Sequence, residues 1–176
     1  AAVIGLEFAR PALEALIPDA VRPTITDHLG TLVRRHFIRP SGAASADAVY
    51  RFHNHLVRET VYNGLLKRAR ANLHLAFVRW ADKVNADRDR ALEFQEILGY
   101  HLEQAHRYLR ELGPLDEAGL AAGADAAERL GGAGRRAHAR GDMHAAASLY
   151  RRAIALREGT DPLDGVTVVR DDPSDL

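Results

Sequence analysis

The spacing of apolar positions changes character along this chain. Residues 7–16 (EFARPALEAL) put Phe8, Ala12, Leu13 and Leu16 at helical spacing, with Pro11 where a first helical turn tolerates it. Pro18 and Pro23 bracket a connector. Residues 25–36 then place Ile25, Leu29, Leu32 and Val33 on one stripe. Arg34, Arg35 and His36 follow at the end where a helix dipole is negative. Next the pattern alternates, Phe37 with Arg39 and Val49 with Arg51. Around a Gly-, Ser- and Ala-rich loop over 40–47, that alternation predicts a short β-hairpin from strands 37–39 and 49–52.

Helical periods take over beyond the hairpin. Asn54 is placed as the N-cap of a helix over 55–66, whose apolar face is Leu56, Val57, Val61, Leu65 and Leu66. Residues 68–84 repeat the pattern with Leu73, Phe77, Trp80 and Ala81, and Gly64 loosens the join. After a polar link over 85–90, a third helix over 91–112 carries Leu92, Gln95/Glu96, Gly99/Tyr100 and Leu102. Gly113-Pro114 stops it. From Leu115 the composition shifts to small residues, which let helices approach closely. Residues 127–160 match the roughly 34-residue tetratricopeptide period. Leu130, Ala133 and Gly134 occupy its first helix, Gly141-Asp142 its turn, and Ala146, Tyr150 and Ala153 its second helix. Residues 118–130 read as the second helix of a degenerate preceding repeat. One repeat cannot bury its own face, so the array is expected to continue in a longer chain.

The expected fold is therefore mainly α. A winged-helix-like regulatory subdomain with one short β-hairpin covers residues 1–66, and a helical linker covers 67–113. A tetratricopeptide-like helical repeat region covers 114–160, and an acidic tail over 161–176 lacks any helical period and is expected to be disordered.

Charge and composition narrow the class. Lys+Arg and Asp+Glu are both 24 in 176 residues, which excludes a uniformly basic nucleic-acid surface but not a local patch. Residues 1–82 carry 11 basic and 7 acidic side chains, whereas 159–176 carry 1 and 5. With no Cys, disulfides, thiol catalysis and thiolate metal sites are absent, as suits a cytoplasmic setting. No apolar run reaches the roughly 20 residues that span a bilayer. The first residues, AAVIGLEFAR, hold no initiator Met and start in mid-pattern with apolar side chains that need partners. They read as the start of a fragment.

The search for chemistry finds no catalytic constellation. There is no GxxxxGK[ST] loop; Gly131, Gly132 and Gly134 precede Arg135-Arg136, but no strand leads into them, which favours close helix packing over phosphate binding. His53 and His55 would point to opposite sides of a helix, His101 and His106 are poorly spaced for one metal, and no HExxH occurs. These histidines are expected at interfaces or on the surface. The four serines lie in no GxSxG context. Glu93, Glu96 and Glu103 read as a solvated face. Two partner-binding options remain. Arg34, Arg35, Arg39 and Arg51 could meet DNA phosphates if the subdomain binds a duplex. Arg135, Arg136 and Arg140 belong either to a binding face of the repeat region or to a solvated one.

An ordered set of elements carries a resemblance: AAVIGLEF, LGTLVRRHFI, YRFHNHLVRETVYNGLL, RARANLHLAFVRWA, GYHLEQA and the tetratricopeptide unit. Together they cover about residues 1–158. The set resembles the segment after the ATPase core in bacterial AAA-like signal-transduction ATPases of the STAND class. Such proteins include large adenylate/guanylate cyclase-like proteins and transcription regulators with a C-terminal helix-turn-helix. The resemblance implies a parent protein whose ATP/ADP site and hydrolytic residues lie upstream, so that this segment holds no cofactor itself. It implies packing of the winged helix against that core, and a protein or small-molecule signal bound by the repeats. In related switch ATPases a His-x-Leu motif contacts ADP. Here the corresponding stretch is Asn54-His55-Leu56, so Asn54 holds the sensing position and His53 is a stand-in. Asn54 as a plain helix cap is the competing reading. The expected function is thus a non-catalytic regulatory and interaction segment without membrane contact, and the alternative is a DNA-binding winged-helix regulator with a helical oligomerisation region.

Overall fold

The computed structural model describes residues 1–41, 48–86 and 94–159. It is mainly helical, with one small antiparallel sheet of three strands. Strand β1 (Glu7–Ala9) runs directly into helix α1 (Arg10–Leu16). A 3-10 turn (Asp19–Thr24) leads to helix α2 (Ile25–Arg34). Strands β2 (Ile38–Ser41) and β3 (Val49–Phe52) follow, and the sheet order is β1-β3-β2. Helices α3 (His55–Asn63), α4 (Lys67–Asn85), α5 (Gln95–Arg110), α6 (Glu117–Ala139) and α7 (Met143–Glu158) complete the chain.

The sheet explains the first departure from expectation. Residues 7–9 are a strand, not the start of a helix over 7–16. Phe8 sits opposite Tyr50, stacks on it at a centroid distance of 5.9 Å and meets Phe52 at 5.6 Å. Burying three aromatic rings on one face outweighs the weak helical propensity of a three-residue stretch. The hairpin therefore supplies the centre and one edge of a three-stranded sheet, β3 lying between β1 and β2, and its first strand runs over Ile38–Ser41 rather than 37–39. Helix α2 ends at Arg34, before His36, which takes a left-handed φ of 57°. That turn reverses the chain into β2.

Two cores result. Phe8, Leu13, Ile25, Leu29, Ile38 and Phe52 fill the N-terminal one. The other gathers Phe77, Val78, Leu98, Leu102 and Ala126 from α4, α5 and α6. Helix α1 serves both: Leu13 lies in the first core while its neighbour Ala12, with Leu16, packs in the second. Helices α5, α6 and α7 pack in succession, extended by a third cluster of Leu130, Ala133, Ala137, Leu149 and Ala153.

Small residues set the spacing of this array. A Cβ added at Gly134 would lie 2.9 Å from the Tyr150 ring, and one at Gly123 would lie 2.6 Å from His106. Helix α6 is continuous from Glu117 to Ala139, so residues 118–130 do not form a separate helix preceding the one over 127–139. Asp116 and Asp142 cap α6 and α7 by accepting from Gly119 N and Ala145 N at 2.8 and 3.0 Å. The acidic tail, residues 42–47 of the loop, residues 87–90 of the link, and Leu92 and Glu93 fall outside the described residues.

Candidate functional site

The joint between the two cores holds the densest polar chemistry among the described residues. It lies where α3, α4 and α5 meet, and Tyr62 near the end of α3 is its first member. The Tyr62 hydroxyl is 2.9 Å from His74 Nε2 on α4 and 3.1 Å from the Tyr108 hydroxyl on α5. His74 Nδ1 lies 2.8 Å from His101 Nδ1. Arg70 Nη1 and Arg107 Nη2 donate to the Tyr108 hydroxyl at 3.3 and 3.1 Å. The guanidinium of Arg70 also lies over the rings of Tyr62 and Tyr108, at 5.1 and 5.2 Å from their centroids.

The donors order this network. A guanidinium only donates, so two of them occupy the acceptor positions of Tyr108. The Tyr108 proton then points to Tyr62, and the Tyr62 proton to His74 Nε2. His74 must carry its proton on Nδ1 and give it to His101 Nδ1, which leaves His101 protonated on Nε2. Every described buried side-chain nitrogen and oxygen has a partner, as a low-dielectric site requires.

Electrostatics favour this uncharged arrangement. His74 and His101 are buried. Burial, reinforced by the mutual repulsion of the two imidazoles, lowers His74 from 6.5 to about 3. Burial likewise brings His101 down to about 4. Tyr62 is pushed up by burial and by its hydrogen bond with Tyr108. Burial also acts to raise Tyr108, but hydrogen bonds from Tyr62, Arg70 and Arg107 to its phenolate form outweigh it and lower the group. Both imidazoles are therefore neutral near pH 7, and the joint is a hydrogen-bonded strut rather than an ion pair.

Two further ties brace the array around it. Arg129 on α6 grips Asp82 on α4 through two bonds of 2.8 and 2.9 Å, and its own-helix neighbour Asp125 at 2.8 Å. Arg152 on α7 holds Glu103 on α5 at 3.0 Å, with the Glu103 side chain only 12% exposed. Glu103 thus belongs to an interhelical pair and not to a solvated face.

The residues singled out in the sequence are scattered. Asn54 caps α3, its Oδ1 accepting from Val57 N at 2.8 Å. His53 and His55 are exposed, and His55 Nδ1 stands 3.4 Å from Glu59. Arg34 donates to Thr31 on its own helix, and Arg35 is exposed at that helix end. Arg39 and Arg51 are cross-strand neighbours, with Glu7 in the same row bound to Arg51 at 3.0 Å. Arg135 and Arg136 line a shallow polar depression of about 370 Å³ with Gln95 and Glu128. Arg140 stands apart at the α6 C-terminus, exposed.

Sequence reasoning missed the joint because its period is offset. The expected stripe on α4 ran through Leu73, whereas His74 is buried and Leu73 is only partly so. On α5, Tyr100 is 41% exposed while His101 and Tyr108 are inside. An apolar template passes over a buried histidine; the signal was two Tyr and two His at positions that neighbouring helices cover. Among the described residues no group of three or more His, Asp or Glu is placed to hold a metal ion, and no helix is long and apolar enough to cross a membrane.

No protein-family profile matches the chain, and no solved structure matches it significantly. An uncharacterized protein of Rhizobium meliloti (strain 1021) is 34% identical over 74 residues, a stretch that covers 42% of this chain and 7% of that protein. The chain is thus similar to one small part of a much longer protein.

Proposed function

We propose that this chain is a non-catalytic regulatory and protein-interaction segment of a multidomain signal-transduction ATPase of the STAND class. Its N-terminal subdomain, of winged-helix type, passes the nucleotide state of an upstream core to the tetratricopeptide-like helices behind it. The observation that supports this reading is the joint. Tyr62 ties the short helix α3 to α4 and α5 through a directed chain of hydrogen bonds, while α1 is shared between both cores. A displacement of α3 or α1 therefore cannot stay local, because close-packed cores shift between discrete arrangements instead of deforming smoothly. The ordered sequence resemblance supplies the ATPase part of the proposal.

The test uses the intact parent protein. Hydrogen exchange measured with ADP and with a non-hydrolysed ATP analogue should differ in α3 and in the first half of α4. Asn54→His should also shift ADP affinity if position 54 senses the nucleotide. Identical exchange in both states, or a parent polypeptide without a phosphate loop, would overturn the proposal.

A further inference from the structure

The glycines of α6 divide into two kinds. Gly123 and Gly134 make room for rings that approach them, but at Gly131 and Gly132 no other described element comes close. A Cβ added at Gly131 would meet Arg135 Nη1 at 3.8 Å, and one at Gly132 would meet Arg135 Nη2 and Arg136 Nη1, each at 3.6 Å. Glycine weakens a helix interior, and here no packing contact among the described residues offsets that. Two guanidiniums instead converge over open helix backbone, where the sequence favoured close helix packing. Neither has an ion-pair or hydrogen-bond partner among the described residues.

Arg157, in the last turn of α7, extends this face. It shares a depression of about 380 Å³ with Arg135, Gly131 and Glu128, and it too is unpaired. Arg136 lies in the adjoining depression, where Asp125 is already bound to Arg129. Glu128 is thus the one unengaged carboxylate among the described residues lining the two depressions, against three unengaged arginines. Such an excess of positive charge favours an anionic partner. The chain carries the opposite charge close by. Residues 160–176, outside the described residues, hold Asp161, Asp164, Asp171, Asp172 and Asp175 against Arg170. They begin beside the face: Gly159, at a left-handed φ of 68°, turns the chain off α7, and Arg110 Nη1 of α5 donates to its carbonyl at 3.0 Å. Asp171 can lie up to about 40 Å from Gly159 along an extended chain, whereas Glu128 to Arg136 spans about 12 Å of helix.

We propose that the acidic segment 160–176 docks on this arginine face of α6 and α7, with Asp171 and Asp172 against Arg135 and Arg136. The face then carries its own occupant, and an acidic peptide from another protein reaches it only by displacing that segment. Single exposed ion pairs are weak, but a tethered segment acts at millimolar effective concentration, whereas a separate partner must meet the full entropy of association. This contact does not depend on the nucleotide role proposed above.

A spin label tests it directly. The chain has no Cys, so a nitroxide on Ser174→Cys is unique in it. In the isotope-labelled 176-residue chain, the nitroxide should broaden the amides of Gly131, Gly132 and Arg135. Raising the salt from about 0.05 M to about 0.5 M should reduce that broadening at least threefold, since exposed charges are screened. Arg135→Gln with Arg136→Gln should remove it, as should Asp171→Asn with Asp172→Asn. Both arginines are unpaired, so the helices keep their other amide signals. Absence of broadening at these amides would overturn the proposal. So would broadening that survives salt or either pair of substitutions, or stronger broadening on another face. Broadening of an isotope-labelled chain by the nitroxide of a second, unlabelled copy would also overturn it.

Discussion

Helices α3 and α6 differ in how far their packing is complete. Helix α6 buries nine residues and lies between α5 and α7, with glycines where neighbouring rings approach. Helix α3 buries none, and is held by its Asn54 cap, by Arg58 and by Tyr62. The array is closed by small residues and braced by the Arg129 and Arg152 pairs. The subdomain around α3 is closed on its sheet side and open between α2 and α3. Stability is thus concentrated in the array, and adaptability in the subdomain, joined by the polar strut and by the shared helix α1.

The sharpest way to break this comparison is a matched pair of truncations. Leu130 is fully buried, so Leu130→Ala should cost about 2–5 kcal/mol in denaturant unfolding. Leu56→Ala should stay within about 0.5 kcal/mol in the 176-residue chain, because its side chain already faces solvent. Equal losses would abolish the distinction.

Acid is the next strongest probe. The folded chain holds His74 near 3 and His101 near 4, whereas the unfolded chain titrates near 6.5. The unfolded state therefore binds more protons over that interval, and stability must rise with pH across it. Stability is complete above about pH 6.5 and declines as pH falls toward the folded values, with about 2 kcal/mol lost by pH 5 for each of the two histidines. His74→Gln should flatten that slope. A chain equally stable at pH 5 and pH 7 would contradict the neutral, buried pair.

Gly123→Ala probes the close approach of α5 and α6. Alanine favours a helix over glycine by about 1 kcal/mol, but its methyl would collide with His106. That ring is fixed by a 3.0 Å contact between Nδ1 and Gly119 O, so overpacking of about 1–3 kcal/mol should prevail and lower the Tm. The least perturbing probe is nitrogen NMR of the joint, which should find the proton on Nδ1 of His74 and on Nε2 of His101. The reverse assignment would invert the direction of the hydrogen-bond chain.

Much of the helical order was legible in the sequence. Asn54 reads as an N-cap and is one, and Gly113-Pro114 marks the end of α5. Helices α2, α4 and α7 follow their apolar spacing with ends shifted by a residue or two. What escaped depends on contacts distant in sequence. Strand β1 exists because β3 pairs with it some forty residues later, where Glu7 meets Arg51. The apolar face expected over 55–66 is real as a pattern, but α3 ends at Asn63, Leu66 precedes α4, and Leu56, Val61 and Leu66 remain exposed; periodicity shows a face, not what covers it. The Tyr62 joint needs three helices brought together, and two of its members are histidines that an apolar count treats as polar.

The central claim is that this joint couples the subdomain to the array, and Tyr62→Phe tests it most directly. The substitution keeps the ring but removes the hydroxyl, leaving His74 Nε2 without its donor and Tyr108 without its acceptor, at a cost of about 1–3 kcal/mol. Hydrogen exchange in the variant should show α3 amides opening on the order of tenfold or more faster while α6 and α7 keep their protection. Unchanged protection of α3, or uniform loosening of all helices, would contradict the account.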